Sequence, residues 1–303
     1  MQFCPLYLIY LTAMLEKYKY HIWLHLTVVI FGFTGVLGKL ISIDSYLLVW
    51  YRLGIAVIAL LIYFALTSYS LKISKKQLVR TFGVGVIIAL HWLTFFEAIK
   101  QSNVSVALVC FSSSTLFTSV LEPLYFKRKI KGYELVFGVI IILGLYFIFF
   151  FEFKYLWGMI LSVISAGLAS WFTVINGIMI KEIKAKTISF YELTGAFILL
   201  SAYMSLSTGM DVSKFAISNT DILWLLILGT ICTALAFIVS VEVMKKISPY
   251  TVTISVNLEP IYSIILALII WPNSEIMSGG FYIGTFVVLS TILLNAWFKN
   301  RAS

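Results

Sequence analysis

YRLGIAVIAL at residues 51–60 returns as YELTGAFILL at residues 191–200, so that Tyr51, Leu53, Ala56, Ile58 and Leu60 are answered by Tyr191, Leu193, Ala196, Ile198 and Leu200. Working outward, Phe33-Thr34 and Gly38 return as Phe172-Thr173 and Gly177. Glu97 and Lys100 return as Glu242 and Lys245, and Gly138 as Gly284. The order never changes and the spacing drifts only slowly, a pattern that chance rarely produces, so the second half of the chain repeats the first. Each half holds five apolar stretches. Because five is odd, a half that starts on one side of a membrane ends on the other, and the second half enters upside down.

Composition supports the membrane reading. Hydrophobic residues make up 61% of the 303 residues and charged residues 12%, far from the balance of soluble domains. Spans are expected at 20–41, 45–67, 78–100, 103–126, 133–151, 155–180, 188–207, 221–245, 249–271 and 277–298. At roughly 20 residues each, ten spans take about 200 residues and leave no room for a soluble domain. The fold class is therefore an all-α polytopic membrane protein, with ten transmembrane helices in two inverted five-helix repeats. Residues 1–19 read as an N-terminal extension, 20–151 as the first repeat, 155–298 as the second, and 299–303 as a basic cytoplasmic tail. The apolar start, MQFCPLYLIYLTAML, is too short to span and has no cleavage site. It reads as an interfacial segment or as sequence upstream of a natural start at Met14.

Orientation follows from the connections. Seventeen of the 22 Lys and Arg residues fall on one side, among them Lys72, Lys75, Lys76, Arg80, Lys127, Arg128, Lys129 and Lys131. Only Lys39, Lys100, Lys154 and Lys214 fall on the other, and Arg52 lies within a span. Both termini are expected in the cytoplasm of a plasma (bacterial inner) membrane. The net charge of +9 is thus a topology signal, and the basic residues form no stripe that would bind nucleic acid. Cys4, Cys110 and Cys232 have no metal-ligand spacing, and the last two sit in apolar runs as structural thiols.

Four segments carry a family resemblance: Phe31-Gly32-Phe33-Thr34, Phe96-Glu97-Ala98-Ile99-Lys100, Leu258-Glu259-Pro260-Ile261-Tyr262 and Gly280-Phe281-Tyr282-Ile283-Gly284. In this order and spacing they resemble the EamA type of the drug/metabolite transporter superfamily, from about residue 20 to 298. One departure is Lys127-Arg128-Lys129, which stands where an acidic residue commonly follows the fourth helix. The resemblance implies export or exchange of small metabolites, often amino acids or related compounds. Inverted halves around a midplane site suit alternating access in a secondary transporter.

Charged groups inside a bilayer are costly, so each marks a candidate site. Glu259 stands near the middle of the ninth span, with Ser255, Tyr262 and Ser263 on the same expected helix face. Pro260 beside it removes a backbone donor and frees a carbonyl. Glu259 reads as a substrate-amine contact, a proton-binding carboxylate or a structural acid. His91, near the middle of the third span, reads as a proton relay or as a neutral side chain bonded to a Ser or a carbonyl. Trp92 and Trp171 read as an aromatic wall or as interface anchors. Arg52, roughly 10 Å deep by helix rise, reads as Glu97's ion-pair partner or as a carboxylate-capturing guanidinium. Glu192 and Glu242 are the repeat mates of Arg52 and Glu97. If they face each other they form a proton-acceptance site; otherwise Lys181, Lys245 or Lys246 neutralises them. Asn257 and its repeat mate Ser112, with Asn176, read as cavity lining or as interhelical bonds. Gly280 and Gly284, with Ser162, Ala166 and Ser170, read as close-packing faces and a candidate homodimer contact.

The leading expectation is a secondary transporter exporting an amino acid or another aromatic or amphiphilic metabolite. The partners are then a small-molecule substrate, the lipid bilayer and, as candidate coupling ion, protons. No cofactor is expected. There is no Walker-type stretch, no His-Glu-x-x-His motif and no catalytic cluster around His21, His25 or His91. A lipid or polyprenyl-carrier flippase is the alternative.

Overall fold

A computed structural model of the chain describes residues 5–207 and 215–301. Lys214, residues 1–4 of the N-terminal extension and residues 302–303 of the tail lie outside the described residues. Among those described there is no strand, and nine helical segments are long and apolar enough to span, from Tyr18–Leu40 to Pro249–Ile270, with a shorter apolar helix at Gly279–Asn295. They are the ten expected spans.

In chain order the helices are α1 (Pro5–Leu40), α2 (Ser45–Thr67), α3 (Lys75–Gln101), α4 (Val104–Phe111), α5 (Ser114–Phe126), α6 (Gly132–Phe151), α7 (Leu156–Met179) and α8 (Ala185–Ser207). There follow α9 (Asn219–Gly229), a π-helical turn (Thr230–Leu235), α10 (Ala236–Val243), α11 (Pro249–Val256), α12 (Glu259–Ile270), the short α13 (Pro272–Glu275) and α14 (Gly279–Arg301). Starts are set by capping residues. Ser74 opens α3 through a reciprocal capping box with Gln77, Asn103 caps α4 at Val106, and Ser248 caps α11 just before Pro249.

Two spans break in the middle. The fourth is α4 plus α5, parted at Ser112-Ser113, and the ninth is α11 plus α12, parted at Asn257-Leu258. Broken helices expose backbone groups that lipid cannot satisfy, so the break must be served from within the protein. Here the two breaks serve each other. Asn257 donates from Nδ2 to the Ser112 carbonyl (3.2 Å) and to the Thr115 hydroxyl, and its Oδ1 accepts from Ser114 (3.0 Å). Ser112 and Asn257 therefore stitch the halves together rather than line a cavity.

The small residues also find their partners inside the chain. A Cβ on Gly284 of α14 would lie 2.7 Å from the Gly144 carbonyl of α6, so the two backbones are in direct contact. Ser162 and Ser170 of α7 donate to the carbonyls of Ala107 and Ser114. The glycine face expected as a homodimer contact is thus filled by α6.

The exposed lysines Lys72, Lys127, Lys184 and Lys246 mark one end of the bundle, called here the basic end. The far end is tied shut across the halves. Lys39 at the end of α1 meets Glu275 at 2.7 Å. Glu275, itself buried, accepts from Ser105 N (3.0 Å), Ser105 Oγ (2.7 Å) and Val104 N (3.3 Å). Beside this latch, Asp221 of α9 accepts from Ser42 N (2.9 Å) and Ser42 Oγ (2.6 Å).

Candidate functional site

Between the halves lies a cavity of about 850 Å³, counting its open part. Its wall is mainly aromatic: Phe31 from α1, Trp92 and Phe95 from α3, Phe111 from α4, Phe172 from α7 and Phe237 from α10. At the far side the lining stops at Arg52, seven residues into α2 and so about 10 Å from that end. At the basic side it continues to Asn176 in the last turn of α7, Ser240 in α10, and Met244, which follows α10 directly.

Arg52 is only 2% exposed and is held in place on three sides. Its Nε donates to Thr233 Oγ1 at 2.6 Å and its Nη2 to the Cys232 carbonyl at 3.5 Å. The guanidinium sits 4.0 Å from the Trp92 ring centroid and 5.4 Å from that of Phe96. Nη1 has no partner. The support comes from the π-helical turn, an irregularity that recurs at functional sites. There the Thr233 hydroxyl donates a hydrogen bond to the Leu228 carbonyl (2.6 Å), which leaves its oxygen lone pairs to accept from Arg52.

Arg52 does not pair with Glu97, contrary to the outer pair expected from depth. Glu97 accepts from Ser45 and from Gln101 instead. Depth along a helix does not give rotation about its axis, and the two side chains leave their helices in different directions. The acid that shares the cavity with Arg52 is Glu259, the first residue of α12 and 5% exposed. Among the described residues Glu259 forms neither a hydrogen bond nor an ion pair. The cavity therefore holds the guanidinium of Arg52 and the carboxyl group of Glu259, which are not bonded to each other.

His91 lines the same wall, with ring contacts to Phe172 (5.4 Å) and Phe111 (5.7 Å). Its Nδ1 lies 2.8 Å from Ser165 Oγ and 3.1 Å from the Ser165 carbonyl. This is the interhelical bond to a serine and a carbonyl that the sequence admitted.

The other expected residues lie elsewhere. Trp171 is 41% exposed and bonded to the Tyr125 hydroxyl, so it forms no wall with Trp92. Tyr262 packs on Gly32 outside the lining, and Ser263 donates to the Gly32 carbonyl. The break at Asn257-Leu258 interrupts the expected polar face, and of its four residues only Glu259 reaches the cavity. Glu192 and Glu242 form no pair. Glu242 is bound by Lys245 at 2.5 Å, while Glu192 is buried and takes a bond from Asn176. Thr233, Phe111 and Phe237 were not singled out from the sequence, and Cys232 was read there only as a structural thiol. Nothing in a run of apolar residues marks a π turn, and an aromatic face at helical spacing reads as ordinary core.

The family model described as "EamA-like transporter family" matches residues 18–150 and again 156–297. A solved structure titled "Crystal structure of protein" has a TM-score of 0.68 to this chain at 13% identity, covering 92% of this chain and 98% of that one; at that identity the likeness speaks for the fold alone. No curated protein matches the chain.

Proposed function

The chain belongs to the EamA-like transporter family, a drug/metabolite-type transporter with a small-molecule substrate, and on that premise we propose that it carries an amphiphilic metabolite with both an acidic and an amino group, such as an aromatic or other apolar amino acid. The observation that carries this reading is that the guanidinium of Arg52 and the carboxyl group of Glu259, not bonded to each other, line one aromatic cavity. A substrate carboxylate takes the free Nη1 of Arg52, a substrate ammonium takes Glu259, and the apolar body packs on Trp92, Phe95, Phe111 and Phe172. The guanidinium and the carboxyl group each gain a partner of opposite charge on the substrate, which favours a dipolar solute over one with a single charge.

Transport runs by alternating access, one half rocking against the other. With the basic end cytoplasmic, as the distribution of lysine and arginine favours, the cavity faces the cytoplasm and the Lys39–Glu275 latch closes the outside. Loading from the cytoplasm and release outward make export the working direction, with proton coupling through Glu259.

The test is flux in proteoliposomes loaded with a labelled amino-acid and aromatic-metabolite panel, with and without an imposed pH gradient. Dipolar aromatic solutes should move, and Arg52→Met and Glu259→Gln should each abolish their flux. Flux of the same solutes through both variants would refute the assigned contacts. A wild-type protein that moves no panel solute but scrambles labelled lipid would replace this reading with a flippase.

A further inference from the structure

On the α8 side of the cavity lies a carboxylate that substrate binding does not use. Glu192 is wholly buried, seven residues into α8 and about 10 Å from the basic end by helix rise. Its only hydrogen bond among the described residues comes from Asn176 Nδ2 to Oε2, at 3.2 Å. Among the same residues its Oε1 has no partner, nor has Oδ1 of Asn176, nor Oγ of Ser189 one turn earlier on the same helix face. The α3 backbone closes over this stretch of α8: a Cβ on Gly85 would run into the Glu192 backbone carbonyl.

A buried carboxylate with one neutral donor lacks the compensation that buried charges require. The charged groups on the surrounding elements do not supply it. On α3, Arg80 pairs with Glu182 and His91 is bonded to Ser165. Arg52 on α2 is held by Thr233, Lys245 after α10 is taken by Glu242, and α7 carries no charged residue. Lys184 and Lys186 flank the start of α8 but lie over the rings of Tyr69 and Tyr63. What remains is one negative charge among unpaired oxygens, a donor set that suits a hard ion of single charge.

We propose that Glu192, Asn176 and Ser189 bind a monovalent coupling cation, sodium or a proton, at a site separate from the substrate cavity and joined to it through Asn176. Both ions share one chemistry, a single positive charge that neutralises the buried carboxylate. Asn176 lines the cavity while bonding Glu192, so whatever settles the carboxylate also settles one wall of the substrate site. The word coupling rests on the transport reading; cation binding does not.

The experiment is therefore a binding measurement on the purified full-length protein in detergent. The unfolding midpoint is followed as sodium replaces choline at constant ionic strength, at acid, neutral and alkaline pH. A cation at about 100 times its Kd should raise the midpoint by several degrees. Glu192→Gln should remove that response, and Glu242→Gln should retain it. Ser189→Ala separates the sources, weakening a sodium response and leaving a proton response intact; it also serves if Glu192→Gln does not fold. A midpoint that responds to neither ion, or a response that survives intact in Glu192→Gln, overturns the site. A chain that binds the cation and moves no solute would defeat the transport reading and leave this site standing.

Discussion

Removing the charge of Glu275 should open the far end. In the structure Glu275 takes a salt bridge from Lys39 and three further bonds from Val104 and Ser105. Glu275→Gln keeps an acceptor for the Ser105 groups but loses the ion pair. Breaking a fully buried pair costs about 3–5 kcal/mol. Lys39 is a quarter exposed, so solvent screening lowers that figure, and ~2 kcal/mol is a fair working value. If the latch forms only while the far end is closed, the whole of that energy shifts the balance between states, and ~2 kcal/mol is a factor of about 30. The assay is labelling of Ala169→Cys, a cavity residue, by a membrane-impermeant maleimide applied from the far side of oriented vesicles, with the parent chain as control for its own Cys4, Cys110 and Cys232. Labelling should accelerate by roughly 10- to 30-fold in Glu275→Gln, and Lys39→Met should act in the same direction. Unchanged labelling in both folded variants would show that the ion pair is not a latch.

Other consequences can be checked more simply. Thr233→Val should leave the fold intact but lower affinity for an acidic or dipolar substrate about tenfold, because Arg52 loses its shortest bond; equilibrium binding reads this directly. Asn257→Ala leaves the Ser114 and Thr115 hydroxyls unserved inside the membrane and the Ser112 carbonyl with only a long bond from Thr115 N (3.4 Å), and should destabilise the detergent-solubilised protein by about 2–4 kcal/mol in a denaturant titration. Gly284→Leu drives a side chain into the α6 backbone, and the expected loss of monodisperse protein on size-exclusion chromatography should not be relieved by any change on the lipid-facing side.

Hydropathy alone located every span, because the length of an apolar run is a property of the chain itself. The second span, 45–67, coincides with α2, and the third begins earlier than expected only because Ser74 and Gln77 cap it. What hydropathy could not reveal are the breaks at Ser112-Ser113 and Asn257-Leu258 and the π turn at Thr230–Leu235. Those are backbone choices made inside apolar sequence and stabilised by side chains from distant segments. The same limit governs the site. Arg52, His91, Trp92 and Glu259 were noticed as costly or aromatic groups at the right depth, and the fold turns all four to one cavity. Trp171 and Glu97 satisfied the same criteria and were turned away, because azimuth about a helix axis is decided by packing. Lys39 was counted only for topology, and Glu275 and Asp221 passed unnoticed, because charges at span ends are ordinary; their contacts across the halves exist only in three dimensions.

The reciprocal service of the two helix breaks has a consequence for biogenesis. When the fourth span leaves the ribosome and enters the bilayer, the partner for its broken middle is still more than a hundred residues from being synthesised. The break at Ser112 must therefore wait on Asn257, whereas the N-terminus of α11 needs a carboxylate from the first half, Glu122, which accepts from Tyr250 N. Neither half can finish folding by itself. A truncated first half would be an unfinished substrate for membrane quality control, and the two halves expressed as separate polypeptides should accumulate only when made together.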